Sequence, residues 1–174
     1  MRRICLLRHA KSDWSQPGLA DFDRPLAPRG RRAIAGLGAW LAALGPPPDE
    51  VLVSAARRTV DTWEGLRPLL GGVPDLHVER GLYLADGARL LERLRRLDEG
   101  AGSVLLIAHS PGIEELAGLL AGPQAAEAAG WTRKFPTAAC AVLETAAPWP
   151  ALAAGSARLL AYRRPRDGEP PAAP

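Results

Sequence analysis

Apolar residues along this chain fall into two kinds of pattern. Arg3 to Leu7, Val51 to Ser54 and Ser103 to Ala108 are short, nearly unbroken runs rich in Val, Ile and Leu. A strand with one buried face alternates apolar and polar positions, so unbroken runs predict strands covered on both sides, as in a parallel sheet. Thr137 to Glu144 and Ala157 to Tyr162 predict two later strands. Between the runs the period lengthens. Ile34, Leu37, Leu41 and Leu44, with Trp40 beside them, share one helical face. Val60, Trp63 and Leu66 do the same up to Pro68, where the helix is expected to end. Leu90, Leu91, Leu94 and Leu97 mark a third helix, and Ile113, Leu116, Ala117 and Leu120 a fourth. Strands alternating with helices predict an α/β fold built on a layered sheet.

Some segments break this rhythm. Lys11 to Arg29 is a polar connection containing Pro17, Gly18, Pro25 and Pro28, and loops of this length inside compact domains are commonly functional. Gly122 to Lys134 is Ala-rich and reads as a helix or a lid. From Arg163 onward the chain is Pro-rich and mixed in charge, which predicts a disordered tail (163–174) after a single domain spanning 1–162.

Composition narrows the function classes. The 174 residues are 47% apolar and 24% charged, which suits one globular domain and excludes disorder of the whole chain. No apolar run reaches the roughly 18–20 residues of a membrane span. The N-terminal apolar stretch is only Ile4 to Leu7 and runs into Arg8-His9, unlike a secretory leader. A cytoplasmic protein with no membrane partner is expected. Cys5 and Cys140 lie inside apolar runs and are expected to be buried and reduced. With no C-x-x-C and three histidines, no metal site is expected. The net charge of +3 is too small an excess to argue for nucleic acid. All 22 bases except Lys11 and Lys134 are Arg, most of which read as a solvated surface. Nothing marks a dimer face, so a monomer is expected.

The chemistry lies at the strand ends. Leu7 runs into Arg8-His9, Val53 into Ser54 with Arg57 and Arg58 soon after, and Ala108 into His109-Ser110. In open α/β sheets ligands bind outside the carboxyl ends of the strands. If these strands are adjacent and parallel, Arg8, His9, Arg58 and His109 converge. Guanidinium groups bind phosphate oxygens bidentately and remain charged, and a neutral imidazole can hold a phosphoryl group covalently. Taken singly, each residue has a plainer reading: His109 as a backbone-bonded histidine, Arg58 as a surface residue, Arg24 as a partner of Asp21 or Asp23. His77 belongs to no recognisable site.

Rival motifs fail on particular residues. His109-Ser110-Pro111-Gly112 follows a predicted strand like a hydrolase nucleophile elbow, but no histidine follows Ser110 to act as its base. Ser110 instead suits the N-cap of the next helix, with Pro111 at the first helical position. There is no G-x-x-x-x-G-K-[ST] loop and no G-x-G-x-x-G after a strand. Cys5 lies within its strand, away from any cysteine-phosphatase loop. Asp21-Phe22-Asp23 follows no apolar strand, which argues against an aspartyl-phosphate enzyme.

Taken together these segments resemble a known family. Leu6-Leu7-Arg8-His9-Ala10 resembles the R-H-G/A signature of the histidine phosphatase superfamily, and Ser54 to Thr62 resembles its S-x-x-x-R-[AT]-x-x-T segment, with Arg58 rather than Arg57 as the phosphate arginine. Leu105 to Gly112 resembles its V-x-H-N/x-P segment. The short chain, Asp23-Arg24-Pro25-Leu26 and Leu82-Tyr83 resemble the SixA-type phosphohistidine phosphatases. The resemblance implies a phosphoglycerate-mutase-like, three-layer α/β fold: a mostly parallel central sheet flanked by helices on both faces. It implies no cofactor and a covalent phosphohistidine on His9. Arg8, Arg58 and His109 would hold the phosphoryl oxygens, and Arg24 and Ser110 would bind substrate. Many members place a glutamate general acid after the second arginine segment. Glu79 is near that place, but Gly81 occupies the usual position. A missing acid penalises alkyl esters more than phosphoramidates. The implied substrate is phosphohistidine on a protein. The alternatives are small-metabolite phosphate esters or a phosphate-binding module without turnover.

Overall fold

The computed structural model describes residues 1–131 and 135–165. The three unbroken apolar runs become the centre of one sheet: β1 (Arg2–Arg8), β2 (Glu50–Ser54) and β4 (Ser103–Ala108). With β3 (Asp75–Glu79), β5 (Cys140–Thr145) and β6 (Arg158–Arg163) the strand order is β3-β2-β4-β1-β5-β6. β1, β2, β3 and β4 pair in parallel. β5 runs against both β1 and β6, so it alone is reversed in a mostly parallel sheet.

The unbroken runs follow from burial on both sides. Ile4 and Leu6 of β1, Leu52 of β2, and Val104 and Leu106 of β4 face one layer. Cys5, Leu7, Val51, Val53, Leu105 and Ile107, the alternate positions, face the other. On the second face lie α1 (Pro28–Ala43) and α2 (Arg57–Leu70), through Ile34, Leu37, Leu41, Trp63 and Leu66. On the first lie α3 (Gly87–Leu94), α4 (Gly112–Ala121) and α5 (Pro123–Ala129), through Leu90, Leu94, Ile113, Leu116 and Ala126. Each such fully buried aliphatic side chain contributes about 1.5–3 kcal/mol. The three-layer expectation holds.

Several local expectations are corrected. β3 has no counterpart in the apolar pattern, because it is an edge strand whose Leu76 and Val78 are half-exposed. Its conformation is imposed by parallel pairing with β2. α2 does not stop at Pro68 but runs to Leu70. A proline this close to a helix end removes one hydrogen bond from the final turns, where carbonyls already lack partners. α1 starts at Pro28, inside the segment read as loop, with proline in its first turn. β5 begins at Cys140 rather than Thr137, because the N–H of Ala138 (φ +61°) turns back onto the carbonyls of Arg8 and His9.

Within the Ala-rich stretch, residues 123–129 are helical, whereas 132–134 lie outside the described residues. Arg163 closes β6, and residues 166–174 of the expected tail also lie outside them. Cys5 and Cys140 are both free and buried. Among the described residues no helix is long and apolar enough to cross a membrane.

Candidate active site

β1 and β4 lie side by side, with Arg8 in register with Ala108. Their following helices leave in opposite directions, α1 to one face of the sheet and α4 to the other. Such a divergence opens a crevice at the strand ends. His9 and His109 are the next residues after that register pair, and the His9 N–H donates to the Ala108 carbonyl at 3.1 Å. β2, on the other side of β4, delivers Ser54 and then Arg58 in the first turn of α2. A cleft of about 300 Å³ results, and Arg8, His9, Arg58, His109 and Ser110 are among its lining residues.

Hydrogen bonding defines the protonation of both imidazoles. His9 Nδ1 lies 2.8 Å from the carbonyl of Ala10, so this nitrogen must carry the proton and donate. His9 Nε2 therefore keeps its lone pair, toward which Arg58 Nε donates at 3.3 Å. For His109, Arg58 Nη2 donates to Nδ1 at 3.1 Å, and guanidinium has no acceptor. His109 Nε2 then donates to Ser54 Oγ at 2.7 Å. Both rings are neutral. Burial lowers the His9 pKa to about 3, with Arg58 and Arg8 adding to the effect and the Ala10 and Asp21 contacts opposing it. Burial followed by His9 and Arg58 does the same to His109, also to about 3.

Arg58 is the hub. Besides the imidazoles it reaches the Asp21 carbonyl through Nη1 at 2.7 Å and Asp21 Oδ2 through Nη2 at 3.0 Å. The Tyr83 hydroxyl donates to the same Oδ2 at 2.7 Å, and its ring meets His109 edge-on at 5.5 Å. Burial alone would raise the Asp21 pKa, but the Tyr83 hydroxyl and Arg58 outweigh it and hold the carboxyl below its usual value. Arg57 is exposed and paired with Asp61, so Arg58 is the arginine of this segment that enters the cleft.

Arg8 donates through Nη1 to the Phe135 carbonyl at 2.7 Å, while its buried Nε has no hydrogen-bond partner among the described residues. Arg24 is buried beside the cleft rather than on its lining. Its guanidinium lies over Trp14 at 4.1 Å and its Nε is 3.9 Å from Asp21 Oδ1, but neither Nε nor Nη1 has a hydrogen-bond partner among the described residues. Buried donors without acceptors are uncommon in folded proteins, and an oxyanion at this place supplies acceptors. Ser110 lines the cleft, but it does not cap α4. The Ile113 N–H that such a cap would take already donates to the His109 carbonyl, and Ser110 Oγ has no partner. Glu79 is not on the cleft: it binds Arg93 Nε at 2.8 Å. His77, on β3, contacts Glu50 and Asp75.

Asp21, Tyr83 and Trp14 entered the sequence argument only as motif neighbours or not at all. Asp21 and Asp23 both flank Arg24, and nothing in their spacing says which carboxylate turns toward the strand ends. The threonines of the second segment have clear tasks. Thr62 Oγ1 accepts from the Ala10 N–H at 3.0 Å and donates to the Arg58 carbonyl at 2.6 Å, tying α2 to the end of β1. Thr59 donates to the Ser54 carbonyl at 2.6 Å and closes the turn out of β2.

The chain is similar to known proteins over most of its length. The family model for the histidine phosphatase superfamily (branch 1) matches residues 4–83. An uncharacterized protein of Mycobacterium tuberculosis strain H37Rv is 39% identical over 163 residues, 92% of this chain and 100% of the relative. Among solved structures, a candidate phosphohistidine phosphatase SixA from Agrobacterium tumefaciens superposes with a TM-score of 0.82 at 29% identity, over 94% of this chain and 98% of that one. Its counterpart from Nakamurella multipartitia gives 0.80 at 28% identity, over 94% and 96%.

Proposed function

The chain belongs to the histidine phosphatase superfamily, in its SixA-type branch, and from this we propose that it hydrolyses phosphohistidine on a protein through a covalent intermediate on His9. The observation that supports the reading is the unprotonated Nε2 of His9, which accepts from Arg58 Nε at 3.3 Å in a cleft also lined by Arg8 and Lys11.

In the first step the lone pair of His9 Nε2 attacks phosphorus. The bond from phosphorus to the substrate nitrogen breaks, and its electron pair stays on that nitrogen. Arg8 and Arg58 hold the phosphoryl oxygens, His109 joins them by taking up a proton on Nδ1 as the phosphoryl group binds beside it, and Arg24 and Ser110 add donors from the cleft margin. Preorganised donors of this kind supply most of the gain in phosphoryl transfer. In the second step water attacks phosphorus, the bond to His9 breaks, and its electrons return to Nε2. Both protons of that water leave with the phosphate, as dihydrogen phosphate, and His9 is restored neutral.

Asp21 is the carboxylate on the cleft, and its depressed pKa keeps it ionised. An alkoxide leaving group therefore lacks an acid, whereas an imidazole protonated on its other nitrogen departs neutral and needs none. This favours phosphohistidine over alkyl esters, and the free, buried thiols of Cys5 and Cys140 suit a cytoplasmic protein acting on a phosphorylated protein.

The test is rapid-quench intact mass of wild type and His9→Ala mixed with a phosphohistidine-carrying protein, with an alkyl phosphate in parallel. An acid-labile phosphoryl adduct on wild type alone, with faster loss of phosphohistidine than of ester, is the expected result. Faster turnover of the ester assigns the chain to small metabolites, and binding without adduct or free phosphate removes catalysis from the account.

A further inference from the structure

The walls of the cleft beyond the phosphoryl cradle carry an arrangement that phosphate binding does not use. Its apolar lining consists of Trp14 and Leu84, which are 62% and 57% exposed. Trp14 is nevertheless fixed. Its Nε1 donates to Ser12 Oγ at 3.1 Å, and the Arg24 guanidinium covers it at 4.1 Å. An exposed indole has no hydrophobic reason to stay at a cleft wall, and a guanidinium stacked on one face leaves the other for a second planar group. Leu84 sits at φ +50°, a left-handed conformation disfavoured for a residue with a Cβ and concentrated at functional sites.

Beside them lies the Asp21 carboxylate, whose side chain is 40% exposed. Its Oδ2 is taken by Arg58 and Tyr83, while among the described residues its Oδ1 meets Arg24 Nε at 3.9 Å, beyond hydrogen-bond distance. The same guanidinium that binds Asp21 Oδ2 also points its Nε at His9 Nε2. A carboxylate with acceptor capacity to spare therefore stands one guanidinium away from the reacting nitrogen. Holding Arg58 uses Oδ2 and the Asp21 carbonyl but not Oδ1, and an anion beside a phosphate dianion favours a substrate whose leaving group carries positive charge.

We propose that Trp14 and Asp21 form the leaving-group subsite, in which the indole stacks against a planar ring and Asp21 Oδ1 accepts the N–H of that ring. The ligand class is a cationic N-phosphoryl imidazole. This inference rests on the phosphohistidine reading and adds the residues that select for it. No proton moves through Asp21. As the bond from phosphorus to nitrogen breaks, the electron pair neutralises the ring, and the N–H that Asp21 holds stays on the ring. Leu84 covers the ring edge and limits water.

The experiment compares kcat/KM on phosphoimidazole, phenyl phosphate and glycerol 2-phosphate for wild type, Trp14→Ala, Trp14→Phe and Asp21→Asn. Stacking of a planar ring on an aromatic residue predicts that Trp14→Ala lowers the ratio of phosphoimidazole to glycerol 2-phosphate by about tenfold, with the loss in KM. Trp14→Phe restores most of that ratio, because the platform needs a ring face rather than the indole N–H. Asp21→Asn lowers the ratio of phosphoimidazole to phenyl phosphate, since both are planar and only one carries an N–H. If either Trp14→Ala or Asp21→Asn leaves its ratio unchanged, or if Trp14→Phe behaves as Trp14→Ala, the two-residue subsite is wrong while the phosphohistidine reading stands. A wild type that prefers glycerol 2-phosphate overturns both.

Discussion

Arg58 and His9 meet nitrogen to nitrogen: Arg58 Nε–H points at the unprotonated Nε2 of His9 at 3.3 Å. The contact is possible because the Ala10 carbonyl has claimed the other ring nitrogen at 2.8 Å. A backbone carbonyl one residue away thus selects the tautomer whose lone pair the cleft requires. The same Arg58 reaches His109 Nδ1 at 3.1 Å, so a single guanidinium aligns both imidazoles.

Replacing Arg58 therefore removes more than one charge. Arg58→Lys retains the charge but not the fork that spans His9, His109 and Asp21. Losing a preorganised donor of this kind costs roughly a hundred- to thousandfold in rate, and that loss in kcat/KM is expected for Arg58→Lys. Its neighbour provides the control. Arg57 is exposed and pairs only with Asp61 at 3.8 Å, so Arg57→Ala is expected to retain wild-type kinetics. Steady-state assays on an aryl phosphate measure both.

Ser54 holds His109 from behind. Ser54→Ala leaves the buried His109 Nε2–H without its acceptor at 2.7 Å, which costs about 1–3 kcal/mol for an unsatisfied buried group. Urea denaturation is expected to show that loss, accompanied by a fall in kcat. A variant with unchanged stability and kcat would assign Ser54 no positioning role.

The two neutral imidazoles make stability depend on pH. In the unfolded chain a histidine binds a proton near pH 6.5, whereas burial holds His9 and His109 at about 3 in the fold. Between those values the unfolded state carries more protons, so stability rises with pH and falls as pH drops from 6.5 toward 3. Each histidine adds a slope of at most about 1.4 kcal/mol per pH unit in that window. His109→Gln is expected to flatten the acid limb measured by denaturation at several pH values. An unaltered slope would mean that His109 is protonated in the fold.

Packing around the loop after His9 depends on one missing side chain. A Cβ on Gly30 would lie 2.3 Å from the Lys11 carbonyl oxygen, which is pinned by the Ala27 N–H at 2.9 Å. Gly30→Ala must displace α1 or the backbone that follows His9-Ala10, and overpacking of this kind costs about 1–3 kcal/mol. A lower Tm together with reduced kcat/KM is expected. Gly18→Ala, with nothing within 4 Å of the new Cβ, is expected to leave both unchanged.

What the sequence by itself determined about this protein is the sheet centre and the residues at its ends. Strands buried on both faces must be apolar at every position, so β1, β2 and β4 stand out as runs, and the polar residues that stop them, Arg8-His9, Ser54 and His109, stand out by contrast. The helices facing the sheet are legible for the same reason, since each must present an apolar stripe. β3 was not legible, because an edge strand with half-exposed side chains has no such requirement and takes its conformation from β2.

Only the tertiary structure decided how the cleft is wired. Whether Ser110 caps α4 depended on whether its Oγ or the His109 carbonyl took the Ile113 N–H, and the carbonyl did. That Asp21 turns to Arg58 and Tyr83, that Arg24 lies against Trp14, and that Glu79 is held by Arg93 are contacts between residues 10 to 62 positions apart. Local sequence patterns encode which backbone conformation a residue adopts and which way it faces. They carry no information about which side chain from a distant loop supplies its hydrogen bond, because that is settled only when the layers pack.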